Sequence, residues 1–238
     1  MIPKRIHYCW FGEKPLPKAA QKCIASWKKY CPDYELVRWD ETNFDININT
    51  YVIEAYEAGK YAFVTDYVRL YAMYHFGGIY MDMDVEVVAK LDGFLNHQAF
   101  SGFENDKFIP TGIMAGEKGF PLFGTLLDYY KDKSFYKPDG SEDWTTNTYI
   151  ITSLLTQKGF AANGCYQEIE GFALYPRDYF CPFDDSTGKL ARTKNTATIH
   201  WFNKSWMERR YVFRNKFTRP FHRIFGIECF RWLKRGVQ

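Results

Sequence analysis

Residues 63–85 read FVTDYVRLYAMYHFGGIYMDMDV and carry the clearest structural signals of the chain. Apolar and aromatic residues recur at helical spacing as far as Phe76, and two glycines then end the helix. The next segment, Ile79–Val88, has strand composition with carboxylates at alternate positions. We expect Asp82, Asp84 and Glu86 to share one face as long as that strand is regular. The stretch therefore predicts a helix, a tight turn and a strand that presents carboxylates.

The segments before this stretch predict an α/β fold. Ile2–Phe11 has the composition of a buried strand, Leu16–Tyr30 has helical periodicity, and Tyr34–Trp39 has the pattern of a second strand. A strand, a helix and a strand in succession favour parallel pairing. Tyr51–Phe76 is expected to be helical in two pieces with a break near Gly59.

The remaining segments alternate between strand and helix patterns. The expected strands are Ala99–Phe103, Thr111–Ala115, Phe172–Pro176 and Ala197–Phe202, and the expected helices are Pro121–Tyr130 and Thr146–Gln157. We therefore expect one α/β domain over residues 1–207, followed by a basic, aromatic tail over residues 208–238. The tail has a net charge of +7 against −4 for the domain. It is predicted to be partly helical, with a break near Pro220.

Composition indicates a soluble globular chain of 238 residues, since 46% of the residues are hydrophobic and 25% are charged. The basic N-terminus lacks a secretory apolar core, and no window is apolar for long enough to span a membrane. The six cysteines form no Cys-x-x-Cys pair, which favours reduced thiols over a zinc or redox motif. These features predict a cytoplasmic location.

Asp82 and Asp84 form an Asp-x-Asp pair that offers hard oxygen ligands to Mg²⁺ or Mn²⁺. Such a pair is also common as a solvated strand end, so its context matters. Asp66 and Arg69 lie one helix upstream and are neighbours on the helix surface. A carboxylate can accept from sugar hydroxyls and a guanidinium can bind phosphate, although a plain surface ion pair is the alternative.

Asp66-x-x-Arg69 is followed, after the seven residues 70–76, by Gly77-Gly-Ile-Tyr-x-Asp-x-Asp84. Together with the N-terminal IPKRIHYCWFG of residues 2–12, this spacing resembles family 32 of the glycosyltransferases. That family includes bacterial capsule and lipopolysaccharide sugar transferases and the yeast initiating mannosyltransferase. It is similar in its core to the glucosyltransferase domain of large clostridial toxins. The resemblance covers roughly the first 120 residues well and the C-terminal half in patches.

The resemblance implies a GT-A fold, with a Rossmann-like, mixed but mostly parallel sheet flanked by helices, and sugar transfer with retention of configuration. Residues 1–207 would be the catalytic domain, and Asp66, Arg69, Asp82 and Asp84 the candidate catalytic residues. Asp84 would bind the metal directly, and Asp82 would contact ribose or metal-bound water. Trp10 would stack on the base and Tyr80 would lie against the nucleotide, unless both are core aromatics. The implied donor-binding set is Cys9, Trp10, Thr65, Asp66, Arg69, Tyr80, Asp82, Ser205 and Trp206.

A second cluster, His200-Trp-Phe-Asn-Lys-Ser-Trp206, follows a predicted strand. His200 is the candidate for the remaining metal ligand beside Asp82 and Asp84, and Ser205 and Trp206 would close over the diphosphate. A packing role for His200 is the alternative. The Gly-Pro element common in the family is missing around residues 144–149.

Retention without an evident nucleophile favours front-face attack, in which the leaving phosphate helps to deprotonate the acceptor. If a nucleophile or base exists, the acids to inspect are Glu104, Asp106 and Asp143.

The resemblance implies a nucleotide-sugar donor, with UDP-galactose or UDP-glucose as guesses, and a saccharide or lipid-linked acceptor in cell-surface polysaccharide synthesis. No nucleic-acid partner is expected. The tail is either a locally packed helix or a patch that rests on an anionic membrane, and its aromatic residues favour the membrane. Two alternatives stay open for the whole chain: a phosphotransferase of the haloacid-dehalogenase type with Asp82 as nucleophile, or a non-catalytic sugar-binding protein.

Overall fold

The structure is a computed structural model that describes residues 1–105, 107–109, 112–203 and 209–230. The helices are α1 (Lys18–Tyr30), α2 (Thr50–Glu57), α3 (Tyr61–Phe76), α4 (Pro121–Tyr129), α5 (Asn147–Gln157), α6 (Arg177–Phe180) and α7 (Arg209–Phe225). The strands are β1 (Arg5–Cys9), β2 (Glu35–Trp39), β3 (Gly78–Met81), β4 (Val85–Val87), β5 (Ala99–Gly102), β6 (Ile113–Gly116), β7 (Gln167–Ile169), β8 (Phe172–Tyr175), β9 (Phe183–Asp184), β10 (Lys189–Leu190) and β11 (Thr198–His200).

Seven strands form the main sheet in the order β2-β1-β3-β6-β5-β8-β7. Five of them run in one direction, while β6 and β7 run in the opposite direction. The predicted α/β class with a mixed, mostly parallel sheet is therefore confirmed. The predicted βαβ opening is also present, because β1 and β2 pair in parallel.

Two apolar clusters cover the two faces of the sheet. One face packs against α3, with α2, α4 and α5 beyond it, and this cluster contains Val64, Val68 and Phe123. The other face packs against α1 and the β4–β11 pair, around the fully buried Trp27. None of the described helices is long and apolar enough to cross a membrane.

The turn between α3 and β3 depends on glycine. Gly78 has a positive φ of 116°, and a Cβ there would lie 2.7 Å from the carbonyl oxygen of Arg5 on β1. A side chain would therefore push β3 away from β1. On β1, His7 holds the same turn, with its Nε2 atom 2.9 Å from the carbonyl oxygen of Gly77. The position of β3, and of the carboxylates after it, is tied to β1.

The prediction of one regular strand over residues 79–88 is wrong. β3 ends at Met81, the chain turns, and β4 leaves the main sheet to pair antiparallel with β11. Contacts distant in sequence impose this turn: the Trp27 indole donates to the carbonyl of Val85 at 2.7 Å, and the Val87 amide donates to the Ser26 hydroxyl at 3.0 Å. Glu86 accordingly accepts from the Trp201 indole at 2.9 Å and does not join Asp82 and Asp84.

A break near Pro220 is not observed, since α7 runs through this residue. Proline removes only one helical hydrogen bond, the one to the carbonyl of Lys216, and both residues are exposed to water. The six cysteines are free thiols, as expected.

Candidate active site

Asp82 follows the central strand β3 and is held on three sides. Its amide donates to the carbonyl of Gly112 at 2.8 Å, just before β6. Its Oδ1 atom accepts from the Tyr80 hydroxyl at 2.7 Å and lies 3.2 Å from Nη2 of Arg69. The carboxylate is thereby fixed at the end of the sheet where the parallel strands terminate, which is where open α/β sheets bind ligands.

Asp84 lies in the turn after Asp82 and pairs with His200, whose Nε2 atom is 3.2 Å from its Oδ1. The Asn203 amide donates to its Oδ2 at 2.6 Å, and the Trp201 amide donates to its carbonyl at 3.0 Å. The register of β4 with β11 sets Val85 opposite His200 and so brings the two side chains together. Burial opposes ionisation, yet the charge of His200 keeps the pKa of Asp84 below its usual value, and Asp84 raises the pKa of His200 well above its own.

Arg69 and Asp66 form a buried ion pair, not the surface pair that was the alternative. Only 5% of Arg69 and 7% of Asp66 is exposed, and Nη2 lies 3.3 Å from Oδ1 of Asp66. The guanidinium also lies 4.7 Å from the ring centre of Tyr80. Burial raises the pKa of Asp66 to about 6, although the nearby Arg69 opposes the shift. Arg69 thus links Asp66 to Asp82 across the site.

Asn147, at the start of α5, is a positioning residue that the sequence analysis missed. It is fully buried, its Nδ2 donates to the carbonyl of Asp66 at 2.7 Å, and its amide donates to Oδ2 of Asp66 at 3.3 Å. Its Oδ1 accepts from the Tyr130 hydroxyl at 2.6 Å. The only sequence signal was an asparagine at a predicted helix start, within the segment that lacks the family's Gly-Pro element.

Asp82, Asp84 and His200 together fit a divalent cation. One ligand atom from each lies within 4.8 Å of the others, and all three residues are partly buried. The Nδ1 atom of His200 is buried, and no hydrogen-bond partner is found for it within the described residues. Two carboxylates and an imidazole are a donor set suited to Mn²⁺ and acceptable to Mg²⁺.

Gly112 is a second glycine with a steric role. A Cβ on this residue would lie 2.7 Å from the Nδ1 atom of His200. A contact of that length does not occur between real atoms of these types, so any side chain would displace the imidazole. The absence of a side chain at residue 112 therefore lets His200 approach Asp84.

The other predicted donor-binding residues are placed as follows. Cys9 ends β1 and is buried, and burial raises the pKa of its thiol, so it is protonated. Trp10 follows it at the same end of the sheet, is partly exposed, and donates from its indole to the carbonyl of Lys14 at 2.5 Å. Thr65 is partly buried on α3, and its carbonyl lies 3.4 Å from Nε of Arg69. Ser205 and Trp206 lie outside the described residues.

Of Glu104 and Asp143, the two candidate acids that the structure describes, Glu104 is the one near the site. It follows β5, which runs in the same direction as β3, and it is partly buried. Burial raises the pKa of its carboxyl, while the charges of His200 and Arg177 act against the shift. Asp143 instead pairs with Lys133 at 2.8 Å. Asp106 lies outside the described residues.

Residues 17–101 match the family described as glycosyltransferase sugar-binding region containing DXD motif. This part of the chain is therefore similar to the DXD glycosyltransferases. The predicted resemblance is thus confirmed, and the DXD region contains Asp66, Arg69, Asp82 and Asp84, whereas His200 comes from outside it.

Curated relatives of this chain include inositol phosphoceramide mannosyltransferase 3 of Schizosaccharomyces pombe. It is 32% identical over 128 residues, which make up 51% of this chain and 35% of that protein. Mannosyl phosphorylinositol ceramide synthase CSH1 of Saccharomyces cerevisiae is 28% identical over 194 residues, or 75% of this chain and 49% of that protein. The chain therefore spans half or less of the length of these relatives.

Solved structures similar to this chain include two that are named as glycosyltransferases. The PaToxG glycosyltransferase is 20% identical, with a TM-score of 0.44 and coverage of 53% of this chain and 59% of that one. The galactosyltransferase LgtC, in complex with donor and acceptor sugar analogs, is 12% identical, with a TM-score of 0.46 and coverage of 89% and 92%.

Proposed function

We propose that this protein is a metal-dependent glycosyltransferase that moves a hexose from a nucleotide diphosphate sugar to an acceptor hydroxyl. The observation that carries the proposal is the convergence of Asp82, Asp84 and His200 within 4.8 Å, in a chain that contains a DXD sugar-binding region. These residues would hold the cation, Mn²⁺ or Mg²⁺. When bound, such a cation neutralises charge on the departing diphosphate.

The chain's own residues have separate roles in this proposal. Arg69 is a fixed, buried cation that lies between two carboxylates and can also face a phosphate or donor-sugar oxygen. Asp66, held by Asn147, can accept from sugar hydroxyls. Tyr80 fixes Asp82 through its hydroxyl. Trp10, Ser205 and Trp206 remain proposed contacts to the nucleotide.

Glu104 is proposed as the acid that exchanges a proton with the acceptor hydroxyl. Its raised pKa reflects a site shielded from water, and it lies among charged groups of the candidate active site. A protonated carboxyl can donate to an acceptor oxygen, and an ionised one can accept its proton. Front-face attack with retention of configuration remains the proposed course, and NMR assignment of the product's anomeric configuration tests the retention.

The donor is proposed to be a UDP-hexose, and the acceptor a saccharide or lipid-linked saccharide of cell-surface polysaccharide synthesis, such as capsule or lipopolysaccharide. The yeast relatives are named as mannosyltransferases of inositol phosphoceramide, which supports a lipid-bearing acceptor and adds a mannose nucleotide to the donors to be tested. A cytoplasmic location is part of the same proposal.

Release of nucleoside diphosphate from a panel of UDP-hexoses and mannose nucleotides, with Mn²⁺, with Mg²⁺ and with EDTA, tests the proposal. We expect one donor to be hydrolysed slowly with metal and not with EDTA. Asp84→Asn should lower the rate by roughly 100-fold or more, since it removes a charged ligand. Asp132→Asn, at an exposed aspartate after α4, is the matched control and should keep the full rate.

Two other outcomes would replace the proposal. Saturable binding of sugar nucleotides without turnover, by both the parent and Asp84→Asn, would indicate a sugar-binding protein. Release of inorganic phosphate from phosphate esters, abolished by Asp82→Asn, would indicate the phosphotransferase alternative.

A further inference from the structure

Helix α7 contacts the rest of the protein through its polar face. Asn215 donates to Oδ2 of Asp185 at 2.7 Å, and Arg219 forms an ion pair with the same carboxylate. The His222 ring lies 3.1 Å from the carbonyl of Ser186. The three helix residues are spaced i, i+4 and i+7, so they form one face, and this face is attached to the hairpin of β9 and β10.

The opposite face of α7 is apolar and exposed. Phe213 is 75% exposed, Phe217 66% and Ile224 73%. At 100° per residue these side chains cluster within about 40° of one another, and they lie about 120° or more from the three polar contacts. A helix packed on a domain normally turns its apolar residues inward. Here the arrangement is reversed, which leaves a contiguous apolar strip in water.

Cations flank this apolar strip. Arg214 lies on one side of it, Lys216 and Arg223 lie on the other, and all three are exposed. Apolar aromatic residues between flanking basic ones are the pattern of a helix that lies in the plane of an anionic bilayer, with the rings below the headgroups and the cations among them. A buried protein interface would instead be depleted of lysine.

We propose that the outer face of α7 binds the surface of an anionic lipid bilayer while its polar face keeps the helix attached to the β9–β10 hairpin. The strip defined by Phe213, Phe217 and Ile224, together with Phe221 and Phe225, enters the interface. This binding needs neither a metal nor a donor, so it goes beyond the proposed function.

The hairpin also links the bound helix to the candidate active site. The Phe183 ring lies 5.3 Å from the Arg219 guanidinium and 5.3 Å from the Trp201 ring, and Trp201 directly follows His200. A bilayer under α7 would thus lie near the metal ligands. If the proposed function holds, the acceptor is a lipid whose sugar or headgroup is reached at the membrane surface.

Vesicle sedimentation of the full chain tests the proposal, with phosphatidylcholine alone or with added phosphatidylglycerol. We expect sedimentation with the anionic vesicles, weakened by salt, and little with phosphatidylcholine. The variant Phe213→Ser/Phe217→Ser/Ile224→Ser should lower the partition coefficient roughly 100-fold. Lys216→Gln/Arg223→Gln should lower it roughly 30-fold on anionic vesicles. Tyr136→Ser/Tyr166→Ser, which removes exposed rings elsewhere, should bind like the parent.

Equal binding by the parent and the triple variant overturns the proposal, as does a parent that binds neither vesicle. The proposal is also overturned if light scattering shows that the parent is a dimer and the triple variant a monomer, while both sediment equally with vesicles. That result would assign the strip to contact with a second copy of the chain. Hydrolysis of a soluble donor, measured without lipid, should be the same in the triple variant and the parent. If the parent does not hydrolyse any donor, the proposed function is refuted, but the proposed membrane binding is not affected.

Discussion

Replacing Arg69 by methionine should destabilise the fold strongly. The side chain is 5% exposed, and its Nη2 atom lies 3.3 Å from Asp66 and 3.2 Å from Asp82. Removing one partner of a buried ion pair costs about 3 to 5 kcal/mol, because a buried charge is left uncompensated. Asp82 is partly solvated and keeps its bond from Tyr80, so most of the loss should come from Asp66. We expect the free energy of unfolding to fall by about 3 kcal/mol.

A double-mutant cycle with Asp66→Asn separates the charge effect from the loss of packing. The measurement is urea unfolding at pH 7.5, followed by tryptophan fluorescence. Arg69→Met/Asp66→Asn has no uncompensated charge at residue 66. Its loss of unfolding free energy should therefore be smaller than the sum of the losses of the two single variants by about 1 to 3 kcal/mol. Losses that add within about 0.5 kcal/mol, or a cost of Arg69→Met below about 1 kcal/mol, would refute the view that Arg69 compensates a buried carboxylate.

Three further predictions concern the surroundings of the site. Burial lowers the pKa of His7 from 6.5 to about 4, so the unfolded chain binds a proton at a higher pH than the folded chain does. The free energy of unfolding, measured by urea titration, should therefore fall by about 3 kcal/mol as the pH drops from 6.5 to 4. Gly112→Ala should weaken Mn²⁺ binding roughly 10-fold or more in calorimetric titrations, since the new Cβ displaces His200. Asn147→Ala should lower the free energy of unfolding by about 1 to 3 kcal/mol, since it removes the hydrogen bonds that Asn147 forms with the Tyr130 hydroxyl and the Asp66 carbonyl.

Each of these predictions has its own control. His7→Gln should remove most of the acid sensitivity, and an unchanged slope would assign that sensitivity to other groups. Gly93→Ala adds a Cβ where nothing lies within 4 Å and should bind Mn²⁺ like the parent. If Gly112→Ala binds equally well, His200 does not ligate the metal. In Tyr130→Phe/Asn147→Ala the losses should be less than additive, because both changes remove the same hydrogen bond.

Local periodicity predicted much of the fold. The helical pattern with a break near Gly59 corresponds to α2 and α3, and the first two strands pair in parallel as expected. The i, i+3 spacing also placed Asp66 beside Arg69. These features depend on residues close in sequence, where helix and strand periods are decisive.

Features that depend on distant contacts were missed, predicted wrongly or left open. The turn at residues 82–85 is imposed by Trp27 on α1, and Asn147 contacts Asp66, which lies 81 residues earlier in the chain. The approach of Glu104 to the site follows from strand order, which no local pattern encodes. His200 was identified because it lies at the end of a predicted strand. Its contact with Asp84 depends on the pairing of β4 with β11, which the expectation of a single strand over residues 79–88 did not include.

We propose that Asp82, Asp84 and His200 hold one divalent cation. Anomalous diffraction at the manganese edge, from crystals soaked in Mn²⁺ and UDP, tests it most directly. We expect one peak at about 2.0 to 2.3 Å from a carboxylate oxygen of Asp84, and no such peak in Asp84→Asn crystals. A peak elsewhere, with Asp84 still paired only to His200, would show that these three residues do not hold the cation.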